Sequence, residues 1–291
     1  MDHSIPTGGR CGRRSSTSRC PILGRRGPIL RAPAAVPLDV LPGSLHGAHR
    51  YRWRARPHGP HPAPPRGSPG AGWGAGRPRA WRRVDVVLSS HSHWDHLDYG
   101  SLRLLGQGVP LVVPLGMGAR LRARGFREVV EVVPGDDIRV VGLTIEATRA
   151  LHRGFGPPIG PTELCVGYIV HGSRIVYFAG DTAFFEGLAA FDRGVELALI
   201  PVWGWGPRAR ATEHLDPHGA AQAVRLIRPR IAVPIHWGTL HPIGLARVRP
   251  ETRVDPPHEF ARLAATAAPG TIVRVVPIGG SMSLDGDLSR S

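Results

Sequence analysis

From residue 84 onward, short apolar runs alternate with amphipathic segments, and Gly, Pro and Asp residues separate them. Apolar runs bounded by turn-forming residues predict buried strands. The predicted strands are residues 84–88, 109–113, 128–133, 138–147, 164–170, 174–179, 195–202, 231–235 and 271–277. Segments with helical periodicity are residues 97–105, 117–124, 217–227 and 257–265. Asp216 is placed to cap the third helix, and Pro217 suits its first position.

The order of these elements predicts the fold class. Strands and helices alternate, but hairpins interrupt the alternation, for example across His171, Gly172 and Ser173. The strands 128–133 and 138–147 likewise lie around a turn at residues 134–137. This order favours an α/β protein with mixed sheets covered by helices.

The first 83 residues have a different composition and no sustained helical or strand period. They contain 16 Arg and 2 acidic residues, a net charge of +14, whereas residues 84–291 carry a net charge of +1. We therefore predict a disordered or misread segment, residues 1–83, followed by a folded domain over residues 84–285. An arginine-rich arm that binds polyanions is the alternative. The near-neutral domain argues against nucleic acid as a partner, because a nuclease groove needs basic residues of its own.

The sequence also bears on location. No apolar run reaches the ~20 residues that a membrane-spanning helix needs. The pair Arg13-Arg14 is followed by polar residues, so no secretory signal is predicted. We expect a cytoplasmic protein without a transmembrane segment. The sequence leaves the oligomeric state open.

The candidate chemistry is concentrated directly after the first predicted strand. His91, His93, Asp95 and His96 fall within six residues. His91 and His93 are two residues apart, so in an extended segment they face the same side and can share one metal ion. Asp95 and His96 follow and can reach a second ion ~3.5–4 Å away. Imidazole and carboxylate ligands suit Zn, and less exclusively Fe or Mn. A histidine-rich surface loop or a metal scavenger without catalysis is the alternative.

This motif resembles the signature of the metallo-β-lactamase superfamily, which requires further ligands elsewhere in the chain. His152, Asp181 and His236 each follow a predicted strand, where a rigid scaffold holds a side chain that remains open to solvent. Two ligand sets result. The first is His91, His93 and His152, the second is Asp95, His96 and His236, and Asp181 would bridge the two ions.

A narrower resemblance concerns residues 178–185, which include the sequence Gly-Asp-Thr-Ala-Phe. This stretch is similar to metallo-β-lactamase-fold hydrolases akin to N-acylphosphatidylethanolamine-hydrolysing phospholipase D. Three further segments share the resemblance: residues 199–202, 214–217 and 235–239. It implies a metallo-β-lactamase-like αββα sandwich with two Zn ions, and a role in substrate contact for His214. A loop histidine beside a helix cap is the alternative for His214. Sugar-phosphate lactonases are more distant relatives.

The chain departs from that group at its N-terminus. Members normally open with strands that carry a Trp-x-Gly-His-Ala/Ser-Thr-like segment, and residues 1–83 contain none. The first strands are therefore expected to be missing. A coding sequence read out of register would explain the excess of Arg, Pro, Gly and Ala.

These observations predict a dinuclear metal-dependent hydrolase that uses a hydroxide bridging its metal ions. Asp95 and Asp181, with His214, are the predicted catalytic residues. Phosphodiesters, including lipid-like ones, are the first predicted substrates on resemblance alone. Lactones come second. A nuclease or nucleic-acid-binding protein that uses the arginine-rich arm is the competing class, and a metal-binding protein without activity is a third possibility.

Overall fold

The computed structural model of the protein describes residues 39–40, 44–45, 48–49, 84–93, 95–155, 162–203, 213–238, 249–278 and 282–284. All of these residues belong to one compact unit, which spans residues 35–291.

Strands and helices alternate along the described residues of this unit. The described strands are β1 (Asp39–Val40), β2 (Ser44–Leu45), β3 (Ala48–His49), β4 (Val87–Leu88), β5 (Leu111–Pro114), β6 (Val129–Val132), β7 (Asp137–Val140), β8 (Leu143–Arg149), β9 (Gly154–Phe155), β10 (Thr162–Glu163), β11 (Val166–His171), β12 (Ile175–Phe178), β13 (Leu197–Pro201), β14 (Ile231–Ile235), β15 (Ile272–Val273) and β16 (Met282–Ser283). The described helices are α1 (Tyr99–Leu105), α2 (Gly118–Arg122), α3 (Pro217–Ile227) and α4 (Asp255–Ala267), with 3-10 turns at Glu186–Phe191 and Pro250–Arg253.

Two main sheets carry the fold. The large sheet has seven strands in the order β15-β14-β13-β12-β11-β8-β7, and the small sheet has three in the order β4-β5-β6. Strands β12 to β15 are parallel, whereas β11 is antiparallel to both β12 and β8. The small sheet is parallel throughout. This combination is the predicted mixed architecture.

Successive side chains along the strands alternate between the two faces of each sheet, and the result is four layers of helices, sheet, sheet and helices. Tyr168 and Val170 of β11 pack between the two sheets, whereas Ile169 packs on the opposite face, against α3 and α4. In the small sheet, Val112 faces the large sheet, whereas its neighbour Leu111 packs against α1 and α2. Because successive side chains of a strand point to opposite faces, each sheet buries one face on the other sheet and one face on helices. The predicted αββα sandwich is confirmed.

Several predicted elements are confirmed with close boundaries. The β11–β12 hairpin forms as predicted, with His171 opposite Ile175. Helix α3 begins at Pro217, and the Asp216 carboxylate accepts a hydrogen bond of 2.7 Å from the backbone N–H of Gly219. This cap satisfies a backbone donor that the first turn of a helix leaves free.

Other elements differ from the prediction. The predicted strand 138–147 is two strands, β7 and β8, because Val141 and Gly142 form a tight turn with φ of 48° and 81°. The predicted turn at residues 134–137 does not join two strands of one sheet. It carries the chain from β6 in the small sheet to β7 in the large sheet. The first and last predicted strands are also shorter, since pairing is limited to β4 and β15. An apolar run indicates that a segment is buried, but the segment forms a strand only where it is hydrogen-bonded to a neighbouring strand.

Six residues before residue 84 form short strands within the segment that was predicted to be irregular. They are the two-residue strands β1 to β3, and β1 pairs antiparallel with β16. The rest of the predicted disordered or misread segment lies outside the described residues. Within the described ranges, no helix is long and apolar enough to cross a membrane.

Candidate metal centre

The loop after β4, residues 89–98, is here named the histidine loop, and it is bonded to both sheets. The N–H of Ser89 donates to the carbonyl of Val112 in the small sheet at 3.0 Å. One residue later, the carbonyl of Ser90 accepts from the N–H of Val166 in the large sheet at 3.0 Å. The tyrosine hydroxyl of Tyr168 also donates to the Ser89 carbonyl at 2.8 Å. The loop therefore starts from a fixed point between the sheets.

The far end of the histidine loop is equally fixed. The N–H groups of His96 and Leu97 donate to the carbonyl of His93 at 2.9 and 2.8 Å, which turns the chain back. The carboxylate of Asp98 then caps α1 by accepting from the N–H of Ser101 at 2.8 Å. Trp94 lies outside the described residues. Fixed ends hold the four side chains of the predicted motif over a small area.

The remaining predicted site residues come from one edge of the large sheet. His152, Asp181 and His236 follow the carboxyl ends of β8, β12 and β14. Strands β12 and β14 run in the same direction, and β8 joins them because two antiparallel pairings separate it from β12. Carboxyl ends of strands that run in the same direction meet at one edge of a sheet. His236 itself has a left-handed φ of 60°, a backbone conformation that non-glycine residues adopt mainly at constrained sites.

The first group of ring nitrogens belongs to His91, His93 and His152. Nε2 of His91 lies 2.9 Å from Nδ1 of His93, and that atom lies 3.3 Å from Nε2 of His152. Four bonds of ~2.0–2.1 Å in a tetrahedron place neighbouring ligand atoms roughly 3.3 Å apart. The three nitrogens therefore have the spacing of a group that shares one ion.

The second group consists of Asp95, His96 and His236. Oδ2 of Asp95 lies 3.5 Å from Nε2 of His96 and 3.7 Å from Nε2 of His236. Their candidate ligand atoms all lie within 4.8 Å of one another. This spacing is also compatible with one shared ion.

Asp181 lies between the two groups. Its Oδ2 atom is 3.1 Å from Nε2 of His96 and 3.4 Å from Nε2 of His236. The same oxygen is 3.9 Å from Nε2 of both His91 and His152. Its other oxygen, Oδ1, is buried and has no hydrogen-bond partner among the described residues. A buried carboxylate oxygen without a partner is costly unless a cation or a water molecule satisfies it.

His214 is the eighth predicted residue that the structure brings to this place. It stands just before the cap of α3, and its Nδ1 lies 3.6 Å from Oδ2 of Asp181. Its ring stacks near that of His236 and meets the ring of His152 edge-on. The side chain is buried. The structure thus places His214 beside Asp181 rather than on an outer loop.

Three of the histidines have their second ring nitrogen occupied. Nδ1 of His152 donates to the carbonyl of Glu213, and Nδ1 of His236 donates to the carbonyl of Trp203, both at 2.9 Å. A carbonyl can only accept, so these Nδ1 atoms carry hydrogen, and in the neutral form of each ring the bare nitrogen is Nε2, which faces the centre. His91 makes the equivalent contact with the hydroxyl of Ser90 at 2.9 Å. Partners of this type fix ring orientation at metal centres.

The pKa values of His91 and His93, in the first group, and of His96, in the second group, shift in opposite directions. Burial lowers the pKa of His91 and of His93, which keeps both rings neutral and able to bind a cation. Burial also acts to lower the pKa of His96, but Asp181 and Asp95 outweigh it and raise that pKa to about 10. The carboxylates thus draw positive charge to the second group.

The carboxylates show the reciprocal effect. Burial acts to raise the pKa of Asp181, yet the nearby His236 and His96 hold it well below its usual range. The pKa of Asp95 is lowered in the same way, because His236 and His96 outweigh its burial. Both side chains are therefore anionic at neutral pH. Anionic carboxylate oxygens and imidazole nitrogens together are a donor set that fits divalent metal ions such as Zn.

Sequence reasoning missed the groups that orient the rings. Ser90 immediately precedes His91, the ring that it contacts, and this adjacency was the available signal. The Glu213 and Trp203 contacts use backbone carbonyls, which leave no trace in side-chain identity.

The fold and the cluster together define a protein of the metallo-β-lactamase superfamily. Residues 69–237 match the sequence model of the beta-lactamase superfamily domain. Over 200 residues the chain is 30% identical to a UPF0173 metal-dependent hydrolase of Thermoplasma acidophilum, covering 66% of this chain and 78% of the relative. The chain belongs to this family of metal-dependent hydrolases.

Other similarities are broader. An uncharacterised protein of Mycobacterium tuberculosis is 32% identical over 208 residues, which cover 68% of this chain but 53% of the relative. The chain therefore spans about half the length of that relative. Igni18, a metallo hydrolase of Ignicoccus hospitalis, has a TM-score of 0.55 at 24% identity, covering 69% of this chain and 79% of its own. YhfI of Bacillus subtilis, a metallo-beta-lactamase fold protein, has a TM-score of 0.53 at 16% identity, covering 71% and 80%. These two structures support the fold.

Proposed function

We propose that this protein is a dinuclear hydrolase whose two metal ions are held by the two groups and bridged by Asp181. The carrying observation is the position of Oδ2 of Asp181, within 3.9 Å of ring nitrogens from both groups. The ligands in this proposal are His91, His93 and His152 for one ion and Asp95, His96 and His236 for the other.

Zn is the proposed metal, with Fe or Mn as alternatives, because imidazole and carboxylate donors suit all three. When bound, the ions would act as Lewis acids toward the substrate and make a nucleophile available at neutral pH.

The protein's own groups have distinct proposed roles. Oδ2 of Asp95 lies near His96 and His236. This oxygen can therefore bind the second ion while the other carboxylate oxygen orients a nucleophile by a hydrogen bond. Asp181 sets the separation of the two groups. His214 is buried beside Asp181 and is not needed for either group of three, so we assign it to contact with a substrate oxygen.

The proposed substrate is a phosphodiester, including lipid-like ones, and lactones are the alternative. The support is the phospholipase D-like resemblance at residues 178–185 and at His214. We place the catalytic domain at residues 84–285, without nucleic acid as a partner. The cytoplasmic location stays a prediction from the sequence.

The test combines metal analysis with turnover. Wild-type protein loaded with Zn should hold about two equivalents per chain and cleave a phosphodiester such as bis-p-nitrophenyl phosphate faster than a simple lactone. His236→Ala should lose mainly one equivalent. His258→Ala, on the exposed side of α4, is the matched control and should retain both. One equivalent in fully active wild-type protein would overturn the dinuclear proposal, and faster lactone cleavage would overturn the substrate assignment.

A further inference from the structure

Two site-bearing segments are joined by a small hydrogen-bonded clamp, formed by Leu151, Thr182 and Ala183. The N–H of Leu151 donates to the hydroxyl of Thr182 at 2.9 Å, and the N–H of Ala183 donates to the carbonyl of Leu151 at 2.7 Å. The Thr182 hydroxyl in turn donates to the carbonyl of Ala183 at 2.9 Å. Leu151 immediately precedes His152, and Thr182 immediately follows Asp181.

The clamp connects two segments that the sheet itself does not connect, those after β8 and β12. His152 follows β8 and Asp181 follows β12, but β11 lies between these strands. Strands two places apart in a sheet are separated by roughly 10 Å and share no ladder hydrogen bonds. Strand β11 begins at Val166, and beyond that end of the strand the clamp closes directly between the flanking segments.

The Thr182 hydroxyl is the side-chain component of the clamp. It is buried, with 1% of the residue exposed, and it both accepts and donates a hydrogen bond. If it were removed, the half-buried N–H of Leu151 would lose this hydrogen-bond partner beside the centre, and a donor that loses its partner away from bulk water costs free energy.

We infer that Thr182 is a positioning residue that holds His152 in register with Asp181. The distance that it controls joins Nε2 of His152 to Oδ2 of Asp181 and is 3.9 Å. It thereby links the first group of histidines to the carboxylate between the groups. This inference rests on the proposed function, since it assigns to the clamp the geometry of a metal centre.

The test compares Thr182→Val, which keeps the shape but removes the hydroxyl, with Thr182→Ser, which retains it. The matched control is Thr271→Val, because the Thr271 hydroxyl also donates to a backbone carbonyl, that of Pro229 at 2.7 Å. Each protein is titrated with Co²⁺, and the bound equivalents, the affinity and the visible spectrum are measured. The melting temperature is measured without metal.

We expect Thr182→Val to weaken binding of at least one Co²⁺ about 10–100-fold, as loss of a group that orients ligands does elsewhere. Its spectrum should change, whereas Thr182→Ser and Thr271→Val should match wild type. If Thr182→Val does not fold, Thr182→Ala removes the same hydroxyl without added bulk. An unchanged affinity and spectrum, whatever the melting temperature, would overturn the inference, and so would failure of Thr182→Ser to restore binding. Wild-type protein that binds no Co²⁺ would instead overturn the proposed function.

Discussion

The centre is assembled from two regions that differ in how the chain builds them. The histidine loop supplies four side chains from one short segment, and its position is set by bonds to both sheets. The strand-end residues His152, Asp181 and His236 come from three strands spread along the chain. Their proximity depends on strand order and direction. Local sequence thus builds one half of the site, and topology builds the other.

The two regions therefore differ in how much their geometry depends on correct folding of the large sheet. A short loop keeps its four side chains together wherever it is placed, whereas the strand-end residues meet only if the large sheet pairs correctly. Both contribute to the first group, because His91 and His93 come from the loop and His152 from a strand end. Substitutions in the two regions therefore test whether a ligand from the loop and a ligand from a strand end contribute equally to metal binding.

The largest expected effect is at Asp181, where the two groups meet. Asp181→Asn keeps the shape but removes the charge that lies within 3.9 Å of both groups. We expect turnover to fall by about three orders of magnitude or more, roughly 4 kcal/mol of transition-state stabilisation. Steady-state kinetics on a phosphodiester, with KM as the internal control, measure it. Activity within a few-fold of wild type would leave Asp181 as a turn residue only.

A loop residue and a strand-end residue of the same group should behave alike. His93→Ala and His152→Ala each remove one of three nitrogens from the first group. We expect each variant to retain about one of two metal equivalents and to lose most activity, because the first ion would keep only two imidazole ligands beside the carboxylate of Asp181, which it shares with the second ion. Metal content after dialysis is the measurement. Retention of both ions by one variant alone would show that the two regions are not equivalent.

A smaller effect should come from the close approach between the regions. Gly180 has a left-handed φ of 61°, and a Cβ there would lie 2.6 Å from Cβ of Ser90 in the histidine loop. Gly180→Ala should therefore cost about 3 kcal/mol of unfolding free energy, from backbone strain and overpacking together. Gly135→Ala is the control, since its φ is 98° and a Cβ there would meet nothing within 4 Å. It should cost only about 1–2 kcal/mol.

Denaturant unfolding of the metal-free proteins measures this difference. Equal losses for the two alanine variants would mean that the histidine loop yields at Ser90. The loop would then be less rigid than its hydrogen bonds indicate.

Much of the fold could be predicted from the sequence because its core strands are continuous apolar runs. β13 and β14 are buried at every position, and Asp216 with Pro217 marks the start of α3. The strand division at Val141 and Gly142 was missed, because a positive φ at a valine has no sequence signal. The passage from β6 to β7 between sheets was also missed, since a turn specifies direction locally but does not identify the partner strand.

The positions of the predicted site residues follow the same division. His91 to His96 could be placed together from spacing alone. His152, Asp181 and His236 required strand directions that the sequence only suggests. The acceptors that orient His152 and His236 could not be predicted at all, because they are carbonyl groups of Glu213 and Trp203.

Those carbonyl acceptors have a consequence for how the centre can change over evolution. A point mutation replaces a side chain but leaves the main-chain oxygen in place, so the orientation of His152 and His236 is shielded from substitution at Glu213 and Trp203. His91 is different, because its ring is held by the Ser90 hydroxyl, which a single codon change can remove. Among these three rings, His91 is therefore the one whose basicity and orientation natural variation can adjust without rebuilding the backbone.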